Sequence, residues 1–268
     1  MKTQLKQYFF PKQIINQMDV PFTIKLATTG PDDIVREQLK VVTQRIDSKL
    51  HQIDLDFSPF RYESLVSRFQ RGDRQPLLDS SEFQSVYAQS ILAEQMTDGI
   101  FTPYFAGRFD PTGLIKGWAI ERVFDELLKP LLKDPQIEGV FLKGDSSMKL
   151  ATKQKSDFRW RIEIKNPDNF NEVIATYYLK DGAIATSKSS QSGERIIHMN
   201  QSEVKQATVI SNSLVDADVW ANVGVSTRIE KFTGMINEYN LSGLLVDNKQ
   251  NPLNFSDGAI ANLQETSL

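Results

Sequence analysis

The stretch Phe158-Arg-Trp-Arg-Ile-Glu-Ile-Lys165 decides the fold, because the chain changes its hydrophobic period there. Phe158, Trp160, Ile162 and Ile164 alternate with Arg159, Arg161, Glu163 and Lys165, the two-residue repeat of a strand with one buried and one wet face. Val173 to Leu179 continues in β-rich composition, and Lys180-Asp-Gly-Ala183 carries the Asp-Gly signal of a tight hairpin. Further strands are expected at about Ala183 to Thr186, Arg195 to Met199, Lys205 to Ile210 and Ser242 to Asp247. Upstream, Phe22 to Thr29 reads as an early strand broken by Gly30-Pro31, and three helical runs follow. These are Asp32 to about Leu55, Ser80 to Met96, and a run with Asp110 as N-cap and Pro111 at the first helical position, in which Leu114, Trp118, Val123, Leu127, Leu128 and Leu131 recur at helical spacing. Downstream, Ser213-Leu-Val-Asp216 has the form of a capping box ahead of Ala217, Trp220, Ala221 and Val225, and a last helix is expected near Thr227 to Tyr239. Helices and antiparallel strands in separated runs predict an α+β fold. No repeat or low-complexity linker divides the chain, so residues 1–268 are expected to form a single domain.

Composition narrows the chemistry. The 268 residues include no Cys, which excludes disulfides, thiolate zinc, iron–sulfur clusters and a cysteine nucleophile. With 31 Lys and Arg against 34 Asp and Glu, the net charge of −3 argues against general nucleic-acid binding. The start, Met1 to Lys12, holds only the aromatic cluster Tyr8-Phe-Phe10 and lacks the apolar run of a secretory signal, and no segment is long and apolar enough to span a bilayer. A cytoplasmic protein without membrane contact is the expectation.

Two histidines are present. His51 lies in a polar helical run and reads as a surface residue, whereas His198 ends an expected strand, where both a structural and a catalytic role are open. Neither Gly-x-Gly-x-x-Gly nor a P-loop occurs. Asp110-Pro-Thr-Gly113-Leu-Ile-Lys116-Gly117 at a helix start could hold an anion on free N–H groups beside Lys116, or be an ordinary N-cap turn with a solvated lysine. Metal ligands are limited to oxygen donors, which suit Mg²⁺. Asp216 and Asp218, two apart on a helix, point to different sides and cannot both reach one ion, whereas Asp218 and Asn222, four apart, share a face.

Thr97-Asp-Gly-Ile-Phe-Thr-Pro103 and Phe109-Asp-Pro-Thr-Gly-Leu-Ile-Lys-Gly-Trp-Ala119 resemble the Thr-Asp-Gly-x-Phe and Asp-Pro-x-Gly-x-x-Lys-Gly-Trp-Ala segments of the ApbE family of FAD:protein FMN transferases. Met18, Phe57-Ser-Pro-Phe-Arg-Tyr-Glu-Ser64, Lys143-Gly-Asp145, Ala185-Thr-Ser187, Gly193-Glu-Arg-Ile-Ile-His198 and Ala217-Asp-Val-Trp-Ala-Asn222 are similar to further family motifs and follow in family order. The resemblance implies an α+β, T-fold-related antiparallel sheet with packed helices. It also implies Mg²⁺-dependent transfer of FMN from FAD to a Ser or Thr hydroxyl of a reductase-type acceptor flavoprotein, within an Asp-x-x-Ser/Thr-Gly-Ala-Thr sequence, with release of AMP. By position it implies a direct Mg²⁺ ligand at Asp218, with the main-chain oxygens of Gly113 and Ala221 and the side chain of Asn222 nearby. Met18, Phe60, Asp110, Gly113, Lys116, Gly144, Asp145, Thr186 and Ser187 would line the FAD site, and His198 would act in proton transfer or orient the acceptor hydroxyl. The sequence departs from the family at Lys143 for the first Gly of Gly-Gly-Asp, at Met18-Asp-Val for Met-Gly-Thr, at Asn222 for Thr, and at Met199-Asn-Gln-Ser for Asp-Pro-x-Thr-Gly. Mg²⁺-dependent hydrolysis of FAD to FMN and AMP, and FAD binding without catalysis, are the alternatives.

Overall fold

A computed structural model describes residues 7–31, 33–189 and 203–261. Along the chain the strands are β1 Lys12–Gln17, β2 Val20–Thr28, β3 Tyr104–Phe105, β4 Arg108–Phe109, β5 Ile137–Gly144, β6 Ser147–Thr152, β7 Trp160–Lys165, β8 Val173–Leu179, β9 Gly182–Lys188, β10 Val204–Ser211, β11 Ser242–Asp247, β12 Pro252–Ser256 and β13 Ala259–Ala261. The helices are α1 Asp33–Phe57, α2 Leu65–Gln70, α3 Gln75–Asp79, α4 Ser81–Met96, α5 Thr112–Val123, α6 Leu214–Ser226 and α7 Ile229–Glu238. Nine strands make one antiparallel sheet in the order β1-β2-β5-β6-β9-β10-β11-β12-β13, and among the described residues β7 pairs with β8 alone as a separate ribbon.

Strand alternation sorts side chains into two cores on opposite faces of this sheet. Phe22, Ile24 and Leu26 of β2, Val140 and Leu142 of β5, Ala183 and Ala185 of β9 and Ala207 and Val209 of β10 pack on the helical layer. Phe141, Met148, Leu150, Ile184, Leu244 and Val246 pack against Trp160, Ile162 and Ile164 of the ribbon. The α+β expectation and the alternation read in β7 both hold in this architecture.

Three local expectations are corrected. Asp181-Gly182 does not close a hairpin: β8 stays with β7 while β9 joins β6 and β10, so the bend carries the chain from the ribbon into the large sheet. Gly182 makes that bend at φ +140, where a side chain would be strained. The third helical run is also not one helix. α5 ends at Val123, a π-helical turn Phe124–Leu128 keeps Phe124 and Leu128 buried, and a 3-10 turn Lys129–Lys133 carries Pro130, which has no N–H for a continuing helix. At its start, Pro111 takes the N-cap position rather than the first helical one. The strand expected at 195–199 lies outside the described residues.

Candidate functional site

One end of the sheet gathers the chemistry-bearing residues. The β1–β2 turn is Met18-Asp19, both at positive φ, and the register Gln17↔Val20 makes it a two-residue turn. Phe22 pairs with Gly144, Gly144 with Ser147 and Ser147 with Ala185, so the Met18 turn, the Gly144–Ser147 turn and Ser187 all lie at this end. A Cβ on Gly144 would meet the Phe22 ring at 2.7 Å and Ile120 at 3.0 Å, so glycine is what lets this turn sit against β2 and α5. Asp145, at φ 56, follows it and pairs with Lys116 of α5 at 3.8 Å. Both side chains stay well hydrated, which makes this a weak pair that a ligand can open.

Helix α6 brings Asp218 onto the same cluster. Its start is set by Ser213, whose hydroxyl accepts the Asp216 N–H at 3.3 Å, as the capping-box spacing anticipates. Asp216 is exposed while Asp218 points inward between α5 and β6, in accord with the two-residue offset on a helix. The Ser147 hydroxyl donates to Asp218 Oδ1 at 2.6 Å. On the other side the carboxylate lies against the α5 backbone, because a Cβ built on Gly117 would collide with Oδ2 and stand 3.3 Å from Cγ. One turn on, Asn222 donates from Nδ2 to the Asp218 main-chain oxygen at 2.9 Å, and its Oδ1 accepts the Ser187 hydroxyl at 2.5 Å. Asp218, Asn222, Ser147 and Ser187 thus form one oxygen-rich cluster.

Burial pushes the Asp218 carboxyl up to about 6, with Asp145 and Glu121 adding to the rise, while the Ser147 hydrogen bond and the Lys116 charge oppose it. No cation of the described residues is ion-paired to it. The folded protein therefore holds this proton above the value of 3.8 that applies when the chain is unfolded, so stability should fall as pH rises from about 4 through about 6. The loss is up to about 3 kcal/mol in the metal-free protein. Urea unfolding of wild type and Asp218→Asn across that range checks this, since the Asn variant should lack that part of the slope; identical slopes would refute it. Gly117→Ala should displace the carboxylate and lower any turnover that uses it by about a hundredfold, given how steeply rate depends on placement. A Gly117→Ala protein with native melting and full turnover would refute the packing argument.

Beneath the cluster, Lys149 of β6 is buried and ion-paired to Glu121 of α5, and its Nζ donates to the Asn212 carbonyl at 3.0 Å. Glu121 Oε2 accepts from Ser213 Oγ at 3.2 Å, Leu214 N at 3.1 Å and Val215 N at 3.4 Å, a carboxylate seated on the N-terminus of α6. This pair fixes α5, β6 and α6 relative to one another.

Other expected residues fall less centrally. The Asp110 carboxylate accepts the Thr112 N–H at 3.0 Å and the Thr112 hydroxyl, so one N–H once available to an anion at the start of α5 is already capped. Gly113 is exposed, with the Phe101 ring 3.2 Å from where a Cβ would stand, and Ala221 is fully buried in the helical core. Thr186 is not beside Asp218: it shares a strand face with Ile184, and its hydroxyl lies 2.9 Å from that of Thr208, on the ribbon side of the sheet. Phe60 is 86% exposed on the loop before α2. His198 lies outside the described residues. Among the described residues no three His, Cys, Asp or Glu side chains converge as a metal site. One residue that matters here, Ser147, carried no signal in the sequence, whereas the close approach that Gly117 allows is made by the Asp218 carboxylate rather than by an anion.

The sequence model of the ApbE family matches residues 104–245, from β3 into β11. No curated protein matches the chain. Among solved structures, the flavin transferase ApbE from Vibrio cholerae is similar with TM-score 0.67 at 17% identity, over 94% of this chain and 98% of that one. The apo flavinyl transferase ApbE of Pseudomonas stutzeri aligns with TM-score 0.69 at 16% identity over 95% and 96%. The ApbE protein of Thermotoga maritima aligns with TM-score 0.70 at 15% identity over 93% and 97%. At such identities the structures establish a shared fold over more than nine tenths of the chain. With the family's sequence model covering more than half of its residues, including both α5 and the Asp218 helix, the chain belongs to the ApbE family.

Proposed function

We propose that this protein is an FAD:protein FMN transferase that uses Mg²⁺ and modifies a Ser or Thr hydroxyl of an acceptor flavoprotein. The observation that carries the reading is Asp218, a carboxylate set between Ser147 and Gly117 with no cation of the described residues paired to it. The donor set suits a hard divalent ion: one carboxylate, the Asn222 amide oxygen on the same helical face, and hydroxyls. A single carboxylate is the usual complement for Mg²⁺ that takes its remaining ligands from water, main chain and substrate phosphates. When bound, the ion would neutralise charge developing on the pyrophosphate oxygens.

The chain's own residues supply positioning. Ser147 and Gly117 hold Asp218 in one orientation, and Ser187 fixes the Asn222 amide. Lys116, released from its long pair with Asp145, is the cation available to phosphate at this end of α5. In the transfer, the acceptor hydroxyl oxygen bonds to the phosphorus on the FMN side, the bond from that phosphorus to the bridging oxygen breaks, and AMP leaves with the electron pair. The hydroxyl proton goes to a base, the role proposed for His198. Met18, Gly144 and Asp145 would line the flavin site at the turns, with Phe60 and Asp110 at its border, and the location proposed for the reaction is the cytoplasm.

Chromatography of FAD incubated with the protein, MgCl₂ and acceptor fragment tests this: AMP should appear only with acceptor and Mg²⁺ together. AMP and free FMN without acceptor would replace transfer by hydrolysis, and intact FAD in every mixture would contradict the reading. His198→Ala should lower turnover by roughly a hundredfold, the scale of general base catalysis, with FAD affinity little changed. Equal turnover in that variant would return His198 to a structural role.

A further inference from the structure

Next to the start of α5, the protein exposes a surface of arginines and aromatic rings. The C-terminal end of α2 packs on the β3–β4 hairpin: Gln70 Nε2 donates to the Phe109 carbonyl at 2.7 Å, and the Phe69 and Phe109 rings meet edge to face at 5.7 Å. Around that junction the Arg71 guanidinium stacks on Tyr62 at 3.8 Å, Arg74 lies over Phe69 at 5.5 Å, and Arg108 projects from β4. Tyr62 is 70% exposed and Phe105, at the hairpin tip, 44%. Large aromatics in water on a loop and a hairpin tip contribute little to the core and mark a contact surface.

The charge is equally specific. The neighbouring Arg61 and Arg68 are neutralised by Asp54 at 3.2 Å and Asp73 at 2.8 Å. Arg71, Arg74 and Arg108 have no carboxylate of the described residues in ion-pair contact. Three exposed guanidinium groups without an ion pair among the described residues thus border the junction of α2 and the hairpin, with Asp73 offsetting part of the Arg71 charge, on a chain whose net charge is −3. Arginine and tyrosine side by side are the residues that carry most binding energy at protein interfaces, and guanidinium forks match carboxylates in pairs. The surface is continuous with the candidate site, because β4 leads directly into Asp110, whose N–H donates to Pro103 O at 2.8 Å, and on into α5.

We propose that this arginine and aromatic surface docks an acidic segment of the acceptor protein. The inference rests on the transferase reading for the identity of the partner, while the chemistry of the partner, a polypeptide rich in carboxylates, follows from the surface itself. Charge complementarity of this kind acts mainly on encounter and is salt-dependent.

The test uses the full chain and the triple charge-reversal variant Arg71→Glu, Arg74→Glu and Arg108→Glu, all exposed positions outside the proposed flavin and metal residues. Fluorescence anisotropy is measured with a labelled peptide of alternating Glu and Tyr, without FAD. The peptide is expected to bind wild type, to weaken with added salt, and to bind the variant about tenfold more weakly or worse. With the acceptor fragment, the acceptor KM should rise by a similar factor while kcat and the KM for FAD stay unchanged. Absence of transfer by wild type defeats the transferase reading, and the peptide arm then still judges the surface. No peptide binding, or equal affinity in the variant, overturns the proposal. Phosphatidylglycerol vesicles or a poly-uridine oligonucleotide, bound in place of the peptide and lost in the variant, overturn it in favour of a lipid or nucleic-acid surface.

Discussion

An Asp218→Ala variant is expected to lose FMN transfer by roughly a thousandfold or more, because the metal-borne charge stabilisation it anchors is worth several kcal/mol in the transition state. The prediction rests on two contacts that have no other use at this place. Ser147 donates to one carboxylate oxygen, and Gly117, in the interior of α5, leaves room for the other. A glycine in mid-helix costs about 1 kcal/mol relative to alanine, and here the space it leaves is filled by the carboxylate. Burial that raises the Asp218 carboxyl to about 6 works against the folded state at neutral pH. A residue kept there against stability is what a site that binds a cation requires. Circular dichroism should show the variant folded; transfer at the wild-type rate would remove Asp218 from the site.

The second large effect concerns stability. Lys149→Met should cost about 3 kcal/mol, because it removes the counter-charge of the part-buried Glu121 carboxylate, which is left with only its donors at the start of α6. The methionine replaces the volume of the lysine stem but not its charge or its bond to Asn212. Glu121→Gln should cost less, since an amide oxygen can still accept from Leu214 N and Val215 N, though Lys149 then lacks its counter-charge. Urea denaturation measures both, and a Lys149→Met loss below about 1 kcal/mol, the range of an exposed pair, would contradict this account of the pair. Because the pair positions α6, Lys149→Met should also lower transfer activity at temperatures where the protein stays folded.

Much of this was legible in the sequence, for identifiable reasons. β7 sits on a ribbon with one wet face, so Trp160, Ile162 and Ile164 alternate with charges and announce a strand. The Ser213 cap and the opposed orientations of Asp216 and Asp218 follow from helix geometry, which depends on local spacing alone. β5 and β6 went unread because both faces are covered, helices on one side and the ribbon on the other. Ile137-Glu-Gly-Val-Phe-Leu-Lys-Gly144 is buried almost throughout and has no period of two, and β6 hides Ser147 and Lys149 at positions that look like surface. Their polarity is explained by Asp218 and Glu121, which approach from 71 and 28 residues away in the chain. The misplaced Asp181-Gly182 hairpin has the same origin: the turn chemistry was local, whereas the pairing of β8 and β9 was settled by which apolar faces could be covered. Thr186 and Ser187 belong to one motif, yet strand alternation sends Ser187 to Asn222 and Thr186 to Thr208, on opposite faces.

The most direct measurement is the intact mass of an acceptor fragment bearing Asp-x-x-Ser/Thr-Gly-Ala-Thr after incubation with this protein, FAD and MgCl₂, with omission of each component in turn. The account predicts a single covalent FMN adduct, fluorescent in a denaturing gel, that requires FAD and Mg²⁺ together and is missing with Asp218→Ala. An unmodified fragment beside intact, protein-bound FAD, or an adduct formed equally well by Asp218→Ala, would contradict it.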